Sequence, residues 1–192
     1  MIVKQVLPEK NRYMEEICDI LLTEEEIAKR VAELGAAITQ DYHDILSPDT
    51  PLIIVGMLKG VTIFVADLMR QLQLPVHLYF IDIESKSENT RATGLIELDA
   101  KLGDAIAGQH VLFIEDMVDA GLSLSYVLRM LGLRKPLTLE VCTMFNKSNN
   151  RIMDIPIKYV GFELQDKYVV GYGLDSNELY RNLPFLATLN AQ

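Results

Sequence analysis

The 192-residue chain is short of cysteine, of positive charge and of long apolar runs. Its two cysteines are too few for a disulfide framework. One of them, Cys142, lies in the apolar run TLEVCTMF, where a small core residue is a plainer reading than a nucleophile. Lysine and arginine number 18 against 27 aspartates and glutamates, a net charge of −9. That balance opposes non-specific binding to nucleic acid and to anionic membrane surfaces. An anionic substrate is not excluded, but it would need a local basic cluster or a metal ion. No apolar run approaches the roughly 20 residues that span a bilayer. The opening MIVKQVLPEKNRY lacks the apolar core and small-residue cleavage site of a secretory signal. The expectation is a soluble, cytoplasmic protein with no nucleic-acid and no membrane partner. Low-complexity tracts, linkers and internal repeats are missing too, and the length suits one sizeable core, so residues 1–192 read as a single domain.

What is present is an alternation of helical and strand patterns. Thr23 and Glu26 fit a capping box, after which Ile27, Val31, Leu34, Ile38, Tyr42 and Ile45 recur at helical spacing. The spacing predicts a long helix ending near Ser47-Pro48. PLIIVGML (51–58) is a short, continuously apolar run suited to a strand buried on both faces, HVLFIE (110–115) reads as another buried strand, and VHLYFIDI (76–83) and LTLEVCTMF (137–145) read as two more strands. Between them, Val61, Phe64, Val65, Leu68 and Leu72 mark one helix, and residues 124–133 another. Strand and helix alternating over short links predict right-handed crossovers and a mainly parallel sheet flanked by helices, an α/β fold. Ligands of such sheets bind beyond the carboxyl ends of the strands. YVGFEL (159–164) and YVVGYGL (168–174) are short runs rich in Gly and Tyr, and read as a small appended hood rather than more of the sheet. The expected division is a core over about 20–150 and a hood over about 151–192, joined by the N-terminal segment.

The stretch VLFIEDMVDAGLSL (111–124) carries the chemistry. Three acids, Glu115, Asp116 and Asp119, stand at the exit of a buried strand. Gly121 permits a backbone conformation closed to other residues. Successive N–H groups ahead of a helix N-terminus make a concave anion site, aided by the helix dipole. Ser123 could cap that helix or bond a phosphate oxygen. A phosphate cradle with carboxylates at its edge suits a sugar phosphate, the acids accepting from vicinal ribose hydroxyls directly or through Mg²⁺. Solvated loop acids are the plain alternative, and three of them beside a Gly-Leu-Ser turn make it the weaker one.

These residues resemble the phosphoribosyl-pyrophosphate signature of type I phosphoribosyltransferases: an apolar strand, two adjacent acids, two apolar residues, then Asp, Gly and Ser or Thr. Leu58-Lys59-Gly60 resembles the pyrophosphate-loop motif of that family's hypoxanthine-guanine branch. Lys147 stands where the branch has a purine-binding lysine, and VGFELQDKYVVGYGLDSNELYRNLP (160–184) is similar to its C-terminal block throughout. Together the motifs cover roughly residues 52–184.

The resemblance implies Mg²⁺-dependent transfer of phosphoribose from 5-phosphoribosyl 1-pyrophosphate to N9 of hypoxanthine or guanine, a purine-salvage reaction giving IMP or GMP and pyrophosphate. It implies the type I phosphoribosyltransferase fold, with a hood formed largely by the C-terminal region. Tyr168 would stack on the purine, Val169 would offer backbone groups to it, and Lys147 would donate to its 6-oxo group and so exclude adenine. Asp175 would lie by the purine and hold Mg²⁺, while Glu115 and Asp116 would engage the ribose hydroxyls and a second Mg²⁺. Asp119 would take the N7 proton as general base. Ala120, Gly121, Leu122 and Ser123 would cradle the 5′-phosphate. Lys59, Gly60 and Arg181 would bind pyrophosphate, and in the family the bond before this lysine can be cis. The stretch 84–94 falls where the family has a closing lid, with Ser85 and Lys86 toward pyrophosphate. Dimers or tetramers are implied as well.

Two departures stand out. Ala120 replaces the usual Thr or Ser, removing one hydroxyl contact worth about 1 kcal/mol. Glu84-Ser85-Lys86 replaces a Ser-Tyr pattern, so the lid tyrosine is missing. Two alternatives follow: a catalytically weak regulatory protein that binds phosphoribosyl pyrophosphate or nucleotide, and a xanthine-preferring transferase. Asp119, Lys147 and Arg181 favour the enzyme, because a mere sensor would not need Asp119.

Overall fold

A computed structural model describes residues 12–82 and 100–190. A short helix α1 (Arg12–Glu15) and strand β1 (Ile17–Leu22) precede the long helix α2 (Glu24–Tyr42). Then follow β2 (Leu52–Met57), α3 (Val61–Met69), β3 (Val76–Ile81), α4 (Ala100–Ile106), β4 (His110–Val118), α5 (Leu122–Gly132) and β5 (Thr138–Asn146). A 3₁₀ turn (Ser148–Asn150), β6 (Tyr159–Glu163), β7 (Val169–Val170) and β8 (Leu186–Leu189) complete the described chain. The central sheet has five strands in the order β3-β2-β4-β5-β6, every neighbouring pair parallel. A smaller antiparallel sheet runs β1-β8-β7.

Period-two alternation, with a core on each face, explains why β2 and the VLFI run of β4 are apolar without a break, whereas the edge strand β3 leaves His77, Leu78 and Phe80 exposed. Leu52 and Ile54 of β2 face the same core as Leu112 and Ile114 of β4, covered by Ile27, Val31, Leu34 and Ile38 of α2 and by Phe64 and Leu68 of α3. Ile53 and Val55, with Val111 and Phe113, face the opposite core, covered by Leu102 and Ile106 of α4 and by Leu124, Val127 and Leu131 of α5. Cys142 is fully buried in the first of these cores, where burial pushes its thiol pKa up; it is a packing residue.

Three expectations are corrected. The helix that opens at Thr23 has its capping box, with Glu26 N–H donating to Thr23 Oγ1 (3.2 Å) and Thr23 N–H donating to Glu26 Oε2 (2.8 Å). It ends at Tyr42, not near Ser47, because Ser47 and Thr50 close a separate turn through reciprocal backbone hydrogen bonds and the residue before Pro48 resists helical backbone. Ile45 is consequently half exposed. Tyr159–Glu163 is not part of an appended unit. It is the fifth strand of the main sheet, pairing Cys142 with Tyr159 and Phe145 with Phe162. Gly161 permits this: a Cβ there would meet the Met144 carbonyl oxygen at 2.3 Å. The last helix of the core begins at Leu122, earlier than the apolar spacing indicated.

Sheet register brings the functional segments together. Gly56 of β2 pairs with Ile114 of β4, and Ile114 with Cys142 of β5. The carboxyl ends of these strands, and the loops that leave them, therefore open on the same edge of the sheet.

Candidate active site

The loop after β2 is held by backbone geometry. The Leu58–Lys59 peptide is cis, and Lys59 O accepts from Thr62 Oγ1 (2.7 Å). Gly60 then passes so close to β4 that a Cβ on it would lie 1.7 Å from Asp116 Oδ2. Gly173, at φ +97°, comes as near from the C-terminal side: a Cβ there would lie 2.0 Å from the Gly60 carbonyl oxygen. Glycine is needed at both positions for the three segments to meet.

Around this contact the polar groups form a connected cluster. Arg181 donates through Nη1 to Gly173 O (3.0 Å) and pairs through Nη2 with Asp175 Oδ1 (2.8 Å) and Glu178 Oε2 (3.2 Å). Glu178 Oε1 also pairs with Lys59 Nζ (3.2 Å). The Lys59 and Arg181 cations lower the pKa of the Glu178 carboxyl. Glu178 thus spans the two basic residues assigned to pyrophosphate; as an exposed acid it had no distinguishing signal in the sequence.

Glu115 and Asp116 are placed differently from each other. Glu115 is buried, with Oε2 lacking a hydrogen-bond partner; loss of solvent raises its pKa well above normal, and the neighbouring Asp116 charge adds to this. Asp116 is raised by burial too, opposed by the Met117 N–H (2.7 Å) and the Arg181 charge. Asp175 adds a repelling negative charge to Asp116. These carboxyls are strained acceptors that a cation or a hydroxyl donor would relieve.

A pH dependence of stability follows. The folded pKa of Glu115 lies above its unfolded value of about 4.3, so the folded protein binds more protons than the unfolded one. The stability associated with Glu115 is full below the unfolded value and is lost as pH rises through the folded one. Glu115→Gln removes this loss. In EDTA, without substrates, its melting temperature should exceed that of the wild type at alkaline pH by several degrees, from about 1–3 kcal/mol for a buried unpaired group. The gap should close in mild acid; a gap independent of pH, read by calorimetry, would contradict it.

The residues expected to cradle a phosphate, 119–123, leave the end of β4. Asp119 is exposed and Ala120 partly buried; Gly121 takes the left-handed conformation (φ +81°) at the N-cap of α5. That N-cap has no side-chain hydrogen bond, which corrects the capping role considered for Ser123: it lies inside the first turn and is exposed. The free N–H groups of that turn and the glycine before it remain suited to an anion.

Lys147 sits at the exit of β5, its N–H donating to Val118 O (2.9 Å), so it lies beside the β4 exit. Its side chain is buried. Nζ donates to Lys167 O (2.8 Å) and lies 3.7 Å from Asp166 Oδ1. Two residues later Val169 opens β7, buried, while the Tyr168 ring between them is 64 % exposed and its hydroxyl donates to Asp175 O (3.1 Å). One edge of the sheet therefore gathers Lys59, Gly60, Glu115, Asp116, Lys147, Asp175 and Arg181, with the 119–123 loop and Tyr168-Val169 joined to them. Ser85 and Lys86 lie outside the described residues. Among the described residues, no three metal-ligating side chains converge, so a cation here would draw further ligands from substrate or water. Arg151, which sequence reasoning passed over, lies against Gly121.

Comparison with known proteins matches residues 18–177 to the phosphoribosyl transferase domain. The chain belongs to the phosphoribosyltransferase family. A hypoxanthine-guanine phosphoribosyltransferase of Staphylococcus epidermidis is 42 % identical over 174 residues, 91 % of this chain and 94 % of the relative. A Staphylococcus aureus relative of the same name is 41 % identical over the same span. The solved hypoxanthine phosphoribosyltransferase of Staphylococcus aureus superposes with a TM-score of 0.83 at 40 % identity, covering 95 % of this chain and 96 % of its own. One from Trypanosoma cruzi, in a ternary complex with substrates, gives 0.84 at 35 % identity over 92 % and 97 %. The five-stranded parallel sheet flanked by helices is thus the type I phosphoribosyltransferase fold, as the sequence motifs implied.

Proposed function

We propose that this phosphoribosyltransferase moves phosphoribose from 5-phosphoribosyl 1-pyrophosphate to N9 of hypoxanthine or guanine, forming IMP or GMP and pyrophosphate. The observation that carries the 6-oxopurine assignment is Lys147: a buried ammonium at the exit of β5, oriented by the Lys167 carbonyl just ahead of Tyr168 and Val169. A fixed donor there matches a 6-oxo acceptor and mismatches the 6-amino donor of adenine, leaving buried polar groups unpaired. Tyr168 offers an exposed ring for stacking.

In this reading N9 attacks C1′ as the C1′–O bond to pyrophosphate breaks. The electron pair leaves with pyrophosphate and Asp119 accepts the N7 proton. Glu115 and Asp116 take the ribose hydroxyls, and Lys59 and Arg181 take pyrophosphate. Gly121 and its neighbours hold the 5′-phosphate through backbone N–H groups, which the Ala120 substitution leaves in place. Mg²⁺ fits the donor set, because the unpaired buried Glu115 oxygen and the crowded Asp116 and Asp175 carboxylates gain from a cation. When bound, it would neutralise charge building on the departing pyrophosphate.

The reading extends to a cytoplasmic protein that acts on small molecules, with no nucleic-acid partner. It includes a dimer or tetramer, which the half-exposed Leu78 and Phe80 on the edge strand β3 support. The test is product stoichiometry: hypoxanthine with phosphoribosyl pyrophosphate and Mg²⁺ should yield IMP and pyrophosphate in equal amounts, and EDTA should abolish both. Pyrophosphate release without nucleotide would contradict transfer.

A further inference from the structure

Residues 119–123 carry no positive side chain, and the protein is strongly acidic. Yet the loop they form is the one assigned to a phosphate dianion. The nearest answer lies behind the loop. Arg151 follows the 3₁₀ turn that leaves Lys147, and its guanidinium reaches back toward β4. Nη2 donates to Asn146 Oδ1, while Nη1 is buried without a hydrogen-bond partner. A Cβ on Gly121 would lie 3.2 Å from both Arg151 Cδ and Nη1, so the guanidinium packs directly against the glycine of the loop. The two residues after it complete the support: Ile152 N–H and Met153 N–H both donate to Ala120 O (3.0 and 3.2 Å). On the far side Asn146 is fixed by its own Nδ2 donating to Glu163 Oε1 (2.6 Å).

We infer that Arg151 is a positioning residue for the phosphate loop, braced by Asn146 beside the end of β5, and that it supplies from a second layer the positive charge that the loop itself lacks. This rests on the reading of residues 119–123 as the 5′-phosphate cradle. Arg151 is partly buried, and leaving its fully buried donor, Nη1, unpaired is costly. Here its charge favours the conformation of Gly121 and its neighbours that turns their N–H groups to the ligand, and it offsets the ligand's negative charge through a water-poor layer. The same segment, residues 147–153, carries Lys147 at one end and the Ala120 contacts at the other.

The test uses Arg151→Met, which keeps bulk and removes charge, and Arg151→Lys, which keeps charge and loses the planar fork. Binding of ribose 5-phosphate is measured by calorimetry, which requires no turnover, alongside KM for phosphoribosyl pyrophosphate and for hypoxanthine. Arg151→Met should weaken ribose 5-phosphate about tenfold or more and raise KM for phosphoribosyl pyrophosphate by a similar factor, the scale of a lost charged interaction. KM for hypoxanthine should stay near the wild-type value. Arg151→Lys should fall between and keeps the test valid if methionine prevents folding. Unchanged ribose 5-phosphate binding would overturn the inference, as would equal rises in both KM values, which mark a merely structural role. A wild type that binds ribose 5-phosphate through Arg151 but transfers nothing would remove the salvage reading and leave this one standing.

Discussion

Asp119→Asn should reduce kcat by about 10²–10⁴-fold, the usual contribution of a positioned general base, with little change in affinity for phosphoribosyl pyrophosphate. The carboxamide keeps the size and the hydrogen-bonding reach of the carboxylate but cannot accept the N7 proton. Position explains the selectivity. Asp119 stands exposed just past the end of β4, at the mouth of the site, while the phosphate is assigned to the backbone around Gly121 and pyrophosphate to Lys59 and Arg181. None of those groups depends on the charge at 119. Pre-steady-state turnover with binding measured separately decides the matter. Equal losses in rate and affinity would make Asp119 a binding residue and remove its role as base.

Lys147→Met is expected to lower kcat/KM for hypoxanthine by roughly 10–150-fold, the value of a hydrogen bond from a charged donor, and to narrow the preference over adenine. The ammonium is held by one backbone carbonyl and lies near one carboxylate, Asp166, so its direction is set before substrate arrives. Methionine fills the space without a donor, and the Lys167 carbonyl loses its partner. Some loss of stability follows, about 1–3 kcal/mol, or a few degrees of melting temperature. The ratio of hypoxanthine to adenine activity separates the two effects, because instability lowers both rates alike. An unchanged ratio would show that Lys147 only supports the fold.

The central sheet was legible because short, largely apolar strand runs alternate with helical patterns, and because β2 and the VLFI run of β4 are apolar on both faces, as a doubly covered parallel sheet requires. The fifth strand was not. Tyr159–Glu163 shares its Gly and Tyr content with the run YVVGYGL (168–174) that follows it, and only the Gly161–Met144 approach and the pairing with β5 reveal its place. The end of α2 was misjudged for a related reason: Ile45 continues the apolar period while the Ser47–Thr50 turn overrules it. Within the candidate site, acids clustered in sequence were easy to find. The Gly60–Asp116–Gly173 contact was not, since it joins three distant segments and rests on side chains that are missing. Glu178 and Arg151 escaped for opposite reasons. One looks like any surface acid, and the other lies in the polar stretch NKSNNR, where nothing marks a burial that depends on β4 and β5 lying side by side.

The central claim is transfer of phosphoribose to a 6-oxopurine, and parallel assays of the wild-type protein test it most directly. Hypoxanthine, guanine, xanthine and adenine are each supplied with phosphoribosyl pyrophosphate and Mg²⁺, and nucleotide formation is followed by absorbance. Rapid formation of IMP or GMP with no AMP is the predicted result. Nucleotide from adenine at a comparable rate, or none from any of the bases while phosphoribosyl pyrophosphate still binds, would contradict it.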